Sequence, residues 1–321
     1  MDKEQLNGCS FEIYMDGRIM TAISKEHHSR WNIYTHRRIW GLLFVMPVMI
    51  FFAVFAFYPM LTAFYYSLTD YNLLKPPVFS GLSGYERLLT DSRFLIALKN
   101  TFVYAIGSAI PIFVISLSLA LVFSREFRGR NLLRTLYFAP VILAGVVVAM
   151  VWRVIYHPYG PLNSTIGYLL NIAPNWLTDR ALAPWAIIGI NVWQSVGFYM
   201  IIFIAGLQAI PQDFYDAAMV DGANRWQSFW HVTLPLLKPT SIFVMVITLI
   251  NCFQAFTYQY VMTKGGPSDA TNVIGLYVYQ NAFQYLRMGY AAAISVVLFI
   301  IIMILTLVQL RITRSEEVSF V

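Results

Sequence analysis

Long stretches in which nearly every position is apolar alternate with short polar segments rich in turn residues. Six stretches approach the roughly 20 residues needed to cross the hydrocarbon core of a bilayer. They are Gly41–Phe64, Thr101–Phe123, Leu136–Tyr156, Pro184–Leu207, Thr240–Val261 and Tyr290–Leu310. The pattern predicts an all-α fold, a polytopic transmembrane helical bundle of about six spans. Turn-forming pairs and triplets fall between them, at Pro76-Pro77, Gly160-Pro161 and Gly265-Gly266-Pro267. No polar segment is large enough to form a core of its own. The expected organisation is a polar tail (1–40), a membrane domain (41–311) and a short closing tail (312–321). The first apolar run is too long for the hydrophobic region of a signal peptide, so the leading tail is expected to stay attached.

Composition supports the pattern. The chain of 321 residues is 58% hydrophobic and 12% charged, against about 25% charged in ordinary soluble domains. The net charge of +6 fits cationic membrane-flanking loops and does not call for nucleic acid. Lysine and arginine set the direction of the spans. They gather in the leading tail (Lys3, Arg18, Lys25, Arg30, Arg37, Arg38), in the loop Arg125, Arg128, Arg130 and Arg134, and at Arg225, Lys238, Arg311 and Arg314. These segments alternate with less basic ones, which places both termini in the cytoplasm. Cys9 lies in the tail and Cys252 in an apolar run, so no disulfide is expected.

Several chemistries are missing. None of the sixteen acids lies in a predicted span, which argues against a proton-coupled carrier built on a midplane carboxylate. No phosphate-cradling G-x-x-x-x-G-K-[ST] loop occurs, no His/Cys set has metal-ligand spacing, and no paired nucleophile and base stand out. The expectation is a transporter rather than an enzyme. On these grounds alone a passive channel or a secondary carrier stays open.

The segment 212–239 carries the sharpest pattern. Pro211 precedes the acids Asp213 and Asp216, a helix-start arrangement. Ala217 and Ala218 favour helix, and Asp221-Gly222 stops it, followed by Ala223 and a second helix up to Pro235. An ordinary amphipathic loop helix accounts for this much. The arrangement also resembles the E-A-A-x-x-x-G motif of ABC importer permeases with its downstream F-x-x-I-x-L-P. Ala217, Ala218, Gly222, Phe229, Leu234 and Pro235 match, and Asp216 stands where glutamate is usual. The runs 205–211 (A-G-L-Q-A-I-P), 262–267 (M-T-K-G-G-P) and 160–163 (G-P-L-N) are similar to signatures of the carbohydrate uptake branch.

The resemblance covers roughly Trp40 to Arg314 and implies a type I permease fold in a bacterial inner membrane. It implies a second homologous permease subunit, a dimer of cytoplasmic ATPases holding ATP and Mg, and an extracytoplasmic solute-binding protein. No cofactor is then expected in this chain. The residues Asp213, Asp216, Ala217, Ala218, Asp221, Gly222 and Ala223 would dock on an ATPase and couple its closure to movement of the spans.

A carbohydrate site needs amides, hydroxyls and ring faces directed into the bundle. In the fifth stretch Asn251, Gln254 and Tyr258 are three and four apart, so on a continuous helix they share a face flanked by Thr248. In the fourth stretch Asn191, Gln194, Ser195 and Tyr199 form a similar group. Helix–helix hydrogen bonding explains such residues equally well. By resemblance to the maltose-type permease, whose sugar contacts lie on the spans just before and after the coupling loop, Tyr199 occupies a matching aromatic position and Gln254 matches an amide-rich stretch, while Cys252 and Ala255 stand where that stretch has asparagines. Arg153, near the outer end of the third stretch, reads either as a snorkelling anchor or as a contact for an acidic sugar. The expected solute is an oligosaccharide, neutral or acidic.

Overall fold

A computed structural model of the protein describes residues 30–170 and 174–314. The expectations for the tail ahead of Arg30, with Cys9, and for residues 315–321 lie outside the described residues. Internal contacts divide the chain into two units, split between Pro59 and Met60. In the first unit, helix α1 (Arg30–Phe52) passes into a π-turn, Ala53–Phe57. Pro59 supplies no N–H and would crowd the carbonyl four residues back, that of Phe55, and the wider π-turn sits around that residue. Helix α2 (Tyr58–Ser67) follows, and Trp40–Ser67 is long and apolar enough for one span.

In the second unit a two-stranded hairpin, β1 (Thr69–Asp70) and β2 (Val78–Phe79), leads into α3 (Ser83–Thr90) and α4 (Ser92–Phe123). Then come α5 (Arg130–Ile142), α6 (Gly145–Ile155), α7 (Pro161–Leu170) and α8 (Ala183–Gln208). The remainder is α9 (Gln212–Val220), α10 (Arg225–Ser228), α11 (Leu234–Leu236), α12 (Lys238–Phe253), α13 (Ile274–Tyr279) and α14 (Met288–Arg314). A π-turn at Phe229–Thr233 joins α10 to α11 and surrounds His231, four residues before Pro235, repeating the device seen at Pro59.

Among the described residues four helical runs are long and apolar enough to span a bilayer, and two bent pairs bring the number up to six if each pair counts as one span. The third predicted span is not one helix. Pro140 lies in the last turn of α5, Leu143 and Ala144 are extended, and α6 leaves at 98°. The fifth is shortened: α12 stops at Phe253 rather than running on to Val261, and α10–α11 meets its start at 65°. Gly275 of α13 lies against the Ala255 carbonyl, where any Cβ would come within 2.5 Å. The second span is longer than its apolar core, because Asp91 caps α4 nine residues earlier through the amides of Arg93 and Phe94.

Helices α4 and α8 form the centre of this unit. Ala97, Thr101, Ala105, Ser108, Ala109, Ser116 and Ala120 are buried along one side of α4, while Ile106, Ile110 and Val114, four apart, lie 52–55% exposed on the other. Small residues let two helix backbones approach closely, the packing that joins helices within a membrane. Ser116 donates its hydroxyl proton to the Val196 carbonyl (3.0 Å), and Gly107 lies under Ile188. The two helices therefore run parallel, with Ser92 and Ala183 at one end and Phe123 and Gln208 at the other. At that second end Arg134 donates to the Phe123 carbonyl (2.5 Å), closing a free helix terminus.

Candidate functional site

The segment after α8 is a helix–turn–helix held by its own hydrogen bonds. Pro211 starts α9, and Asp213 sits in the first turn, where the exposed amides favour an anion. Gln212 donates to the Asp216 carboxylate (3.3 Å) within the same helix. At the other end Gly222 adopts φ +80°, a left-handed conformation that glycine enters without steric cost. The Gly222 amide donates to Met219 (3.1 Å) and the Ala223 amide to Ala218 (2.9 Å), the paired bonds of a Schellman cap. Asn224 and Gln227 then form a reciprocal capping box that starts α10. The Tyr215 hydroxyl meets Thr233 (3.2 Å), tying α9 to the second helix.

The outer surface of this element presents large apolar side chains among exposed polar ones. Met219 is 71% exposed, Val220 88% and Trp226 68%, and Ala217 is exposed beside them. A recess of about 360 Å³ beside it is lined by Ala218, Asp221, Gly222, Ala223, Gln227 and His231. Contiguous apolar surface rimmed by polar groups is the mark of a contact with another protein. The expected helix, turn and second helix are all present, and the seven expected docking residues lie together on or beside α9.

The expected solute contacts separate into three groups. Gln194 is a buried bracket: its amide nitrogen donates to the carbonyls of Leu143 (2.8 Å) and Pro140 (3.2 Å) at the break between α5 and α6. Gly197, one turn on, lets α8 touch α5 so closely that any Cβ would overlap the Tyr137 carbonyl. Thr248 is buried and spends its hydroxyl on Val244 (2.6 Å). These two polar residues serve the packing of the bundle.

Tyr199, Asn251, Asn191 and Ser195 form the second group. Asn251 donates to the Tyr199 hydroxyl (3.2 Å), Ser195 to Asn191 (3.4 Å), and Asn191 approaches Cys252 Sγ at 3.8 Å. Tyr199 is only 3% exposed, so its ring offers no free face. Asn251 and Gln254 are exposed. The face expected to join Asn251, Gln254 and Tyr258 does not exist as helical spacing, because α12 ends at Phe253 and Gln254 caps it. Tyr258 follows the break, with its hydroxyl facing the position where a Cβ of Gly145 would stand (3.8 Å). What remains accessible is the end of α12, where the Asn251 carbonyl oxygen and the Gln254 amide have no partner among the described residues.

Arg153 stands apart. It is exposed and lines a recess of about 490 Å³ with Tyr156, His157, Trp176, Thr178 and Thr263. Two loops that the sequence marked as signatures shape this end. Asn163 donates to the carbonyls of Pro158 (3.2 Å) and Pro174 (3.0 Å) and accepts from the Trp176 indole (2.8 Å). Thr271 bonds Thr263 (2.6 Å) and the Gly266 carbonyl (2.8 Å). Sequence reasoning passed over a third feature here. Asp91 accepts from the hydroxyls of Tyr277 and Tyr290, each at 2.6 Å. Burial raises the Asp91 pKa, but the tyrosine and backbone hydrogen bonds outweigh it and hold the carboxyl below its ordinary value.

Known proteins resemble the chain throughout this architecture. Residues 100–316 match the family described as binding-protein-dependent transport system inner membrane component. A probable starch degradation products transport system permease protein, AmyD, of Thermoanaerobacterium thermosulfurigenes is 32% identical over 284 residues, covering 88% of this chain and 96% of that one. A probable ABC transporter permease protein, YesP, of Bacillus subtilis is 36% identical over 285 residues, covering 87% and 92%. The arabinooligosaccharides transport system permease protein AraP of the same organism is 31% identical, covering 93% and 96%. Among solved structures, a bacterial ABC transporter involved in import of the acidic polysaccharide alginate aligns with a TM-score of 0.78 at 24% identity, covering 89% of this chain and 99% of that one.

Proposed function

Since the chain belongs to the binding-protein-dependent transport system inner membrane component family and is a permease subunit of an ABC importer, we propose that it moves an oligosaccharide into the cytoplasm as one half of a two-permease pore. Hydrolysis of ATP takes place on separate subunits, and a solute-binding protein delivers the sugar. The observation that carries the reading is the self-braced helix–turn–helix of residues 212–236, with its uncovered apolar surface at the end of the bundle reached by Phe123 and Gln208. Asp213, Asp216, Ala217, Ala218, Asp221, Gly222 and Ala223 form the docking face for an ATPase. Closing of the ATPase dimer on ATP and Mg displaces this element. Because the element is tied to α8 and α12, the displacement reaches the spans as a rigid-body change.

With the docking face in the cytoplasm, both termini are cytoplasmic, as the arginine-rich loop 125–134 also favours. The other end, with Asp91, Arg153 and the Gly265-Gly266-Pro267 turn, then faces the solute-binding protein. Relatives at 31–33% identity carry names of arabinooligosaccharide, starch-product and trehalose/maltose transport, which supports a sugar as cargo. Within this chain the solute contacts are Asn251 and Gln254 at the broken end of α12, with Asn191, Ser195 and Tyr258 beside them. Hydrogen-bonding amides at a helix break suit a polyhydroxylated ring.

The test is purification of the tagged chain from its native membrane under mild detergent. The expected result is recovery with a second permease and an ATPase whose hydrolysis rises on addition of the sugar-loaded binding protein. Recovery of the chain alone, or of a complex that conducts sugar without nucleotide, would point instead to a channel or a secondary carrier. Impermeant thiol labelling checks the topology. In a background lacking Cys9 and Cys252, Ser268→Cys reacts from outside and Arg128→Cys does not.

A further inference from the structure

Near the ends where α4 and α8 begin, opposite the docking helix, the two helices and the segment leading into α13 enclose a small chamber of about 40 Å³. Asn100, Val103 and Tyr104 of α4, Ile187 of α8 and Val273 line it, together with Gln259, the first residue of a π-turn, Gln259–Thr263. Gln259 is 1% exposed, and neither its amide nitrogen nor its amide oxygen has a hydrogen-bond partner among the described residues. Its main chain is spent on the turn: the carbonyl accepts from the Thr263 hydroxyl (3.0 Å) and from the Gly265 amide (3.3 Å). The side chain plays no part in closing that turn.

The walls explain why no protein group answers this amide. Val103, Ile187 and Val273 are apolar, and Thr271, on the same wall, is committed to Thr263 and to the Gly266 carbonyl. Asn100 donates its amide nitrogen to the carbonyls of Asp269 (2.7 Å) and Asn272 (3.0 Å), which leaves its side-chain oxygen as an acceptor. Tyr104 lies next to Gln259 and Ser108, but no bond of ordinary geometry reaches the Gln259 amide or the Ser108 hydroxyl. A buried amide left unbonded at both ends is costly, and ordered water commonly meets such groups in folded proteins. The chamber exceeds the roughly 30 Å³ that one water molecule takes up in the liquid. A ligand here has to donate to one end of the amide and accept from the other. Water does both, whereas a cation would serve only the oxygen and finds no acid among the lining residues.

We propose that this chamber is an internal hydration site, in which one or two resident water molecules are held by Gln259 with Tyr104 and Asn100. The water fastens the π-turn to α4, and with it Tyr258 before the turn and Gly265-Gly266-Pro267 after it.

The experiment uses the complete transporter in nanodiscs, imaged at a resolution that places ordered water. Thermal unfolding is measured beside it for the wild type and for Gln259→Met, which keeps the length of the side chain and removes both polar atoms. In the wild type a density peak is expected within about 2.7–3.2 Å of a Gln259 amide atom, and it should be missing in Gln259→Met. The sign of the melting shift is the second reading. If water satisfies the amide, Gln259→Met breaks those bonds and the melting temperature falls by a few degrees. If the amide is simply stranded, its removal relieves that cost and the melting temperature rises. Exchange of sodium for potassium in the buffer should change neither reading. The proposal is overturned if a wild-type map that resolves other internal waters shows no peak at Gln259, or if Gln259→Met melts at or above the wild-type temperature. It is also overturned if melting follows the identity of the cation, which would make the occupant an ion. Should Gln259→Met fail to assemble, the wild-type map decides alone.

Discussion

Substitution of Gly222 separates the shape of the docking element from its contacts. The residue sits at φ +80° and closes the Schellman cap of α9, yet a Cβ built on it meets nothing within 4 Å. In the isolated chain the cost of a side chain is therefore conformational alone. Holding an L-residue in the left-handed region costs about 1–2 kcal/mol, which weakens the preference for this turn by about 5- to 30-fold. Asparagine tolerates the conformation, alanine less so, and a β-branched residue least. Gly222→Asn should therefore transport at close to the wild-type rate, Gly222→Ala several-fold slower, and Gly222→Val near background. The assay is binding-protein-stimulated ATP hydrolysis in reconstituted complexes, normalised to chain content, with co-purified ATPase measured in parallel. A Gly222→Val complex as active as wild type would refute the dependence on the left-handed turn. An asparagine variant as impaired as valine would show that side-chain bulk against the partner decides the outcome, and the conformational argument would then be wrong.

Other substitutions distinguish packing from transport. Gln194→Leu removes two hydrogen bonds to the carbonyls at the α5–α6 break and should destabilise the solubilised protein by about 1–3 kcal/mol, read as a lower melting temperature with solute preference unchanged. Gln254→Leu should leave melting unaltered and reduce uptake several-fold, and a wild-type uptake rate there would exclude Gln254 from the solute path. Gly197→Val drives a side chain into the Tyr137 carbonyl and should cost about 1–3 kcal/mol or more, seen as loss of folded chain in detergent extracts. Asp91→Asn weakens two short tyrosine bonds and should cost about 1–3 kcal/mol at neutral pH. Because the folded-state pKa of Asp91 is lowered, its contribution is complete above the ordinary carboxylate range and fades as pH falls through the folded value. Melting curves of wild type and variant should accordingly converge at acidic pH.

The six apolar stretches were legible because bilayer thickness sets a length that composition alone can match. The docking loop was legible because its devices are local: Pro211 before α9, Gly222 after it, and Asn224 with Gln227 at the next start. The interruption of α12 was not. Residues 240–261 read as one largely apolar stretch, and after α12 ends at Phe253 the Ala255 carbonyl packs against Gly275, a contact that no local pattern announces. The three-and-four spacing of Asn251, Gln254 and Tyr258 therefore described a helix that stops before its middle member. Gln194 misled for a related reason, since its partners are backbone carbonyls at a helix break 54 and 51 residues earlier in the chain. Asp91 stands 186 and 199 residues from its partners Tyr277 and Tyr290, and no spacing rule joins residues that only the fold brings together.

The central claim is that sugar movement through this chain is driven by ATP hydrolysis on a partner and transmitted through residues 212–236. The most direct measurement is uptake of radiolabelled oligosaccharide into proteoliposomes holding the purified complex, with sugar-loaded binding protein outside and ATP within. Accumulation above the external concentration should require ATP and stop with vanadate. The Ala217→Trp variant should abolish it while the protein stays inserted and the ATPase retains basal turnover. Equilibration of the sugar without ATP, or undiminished accumulation in Ala217→Trp, would contradict the account.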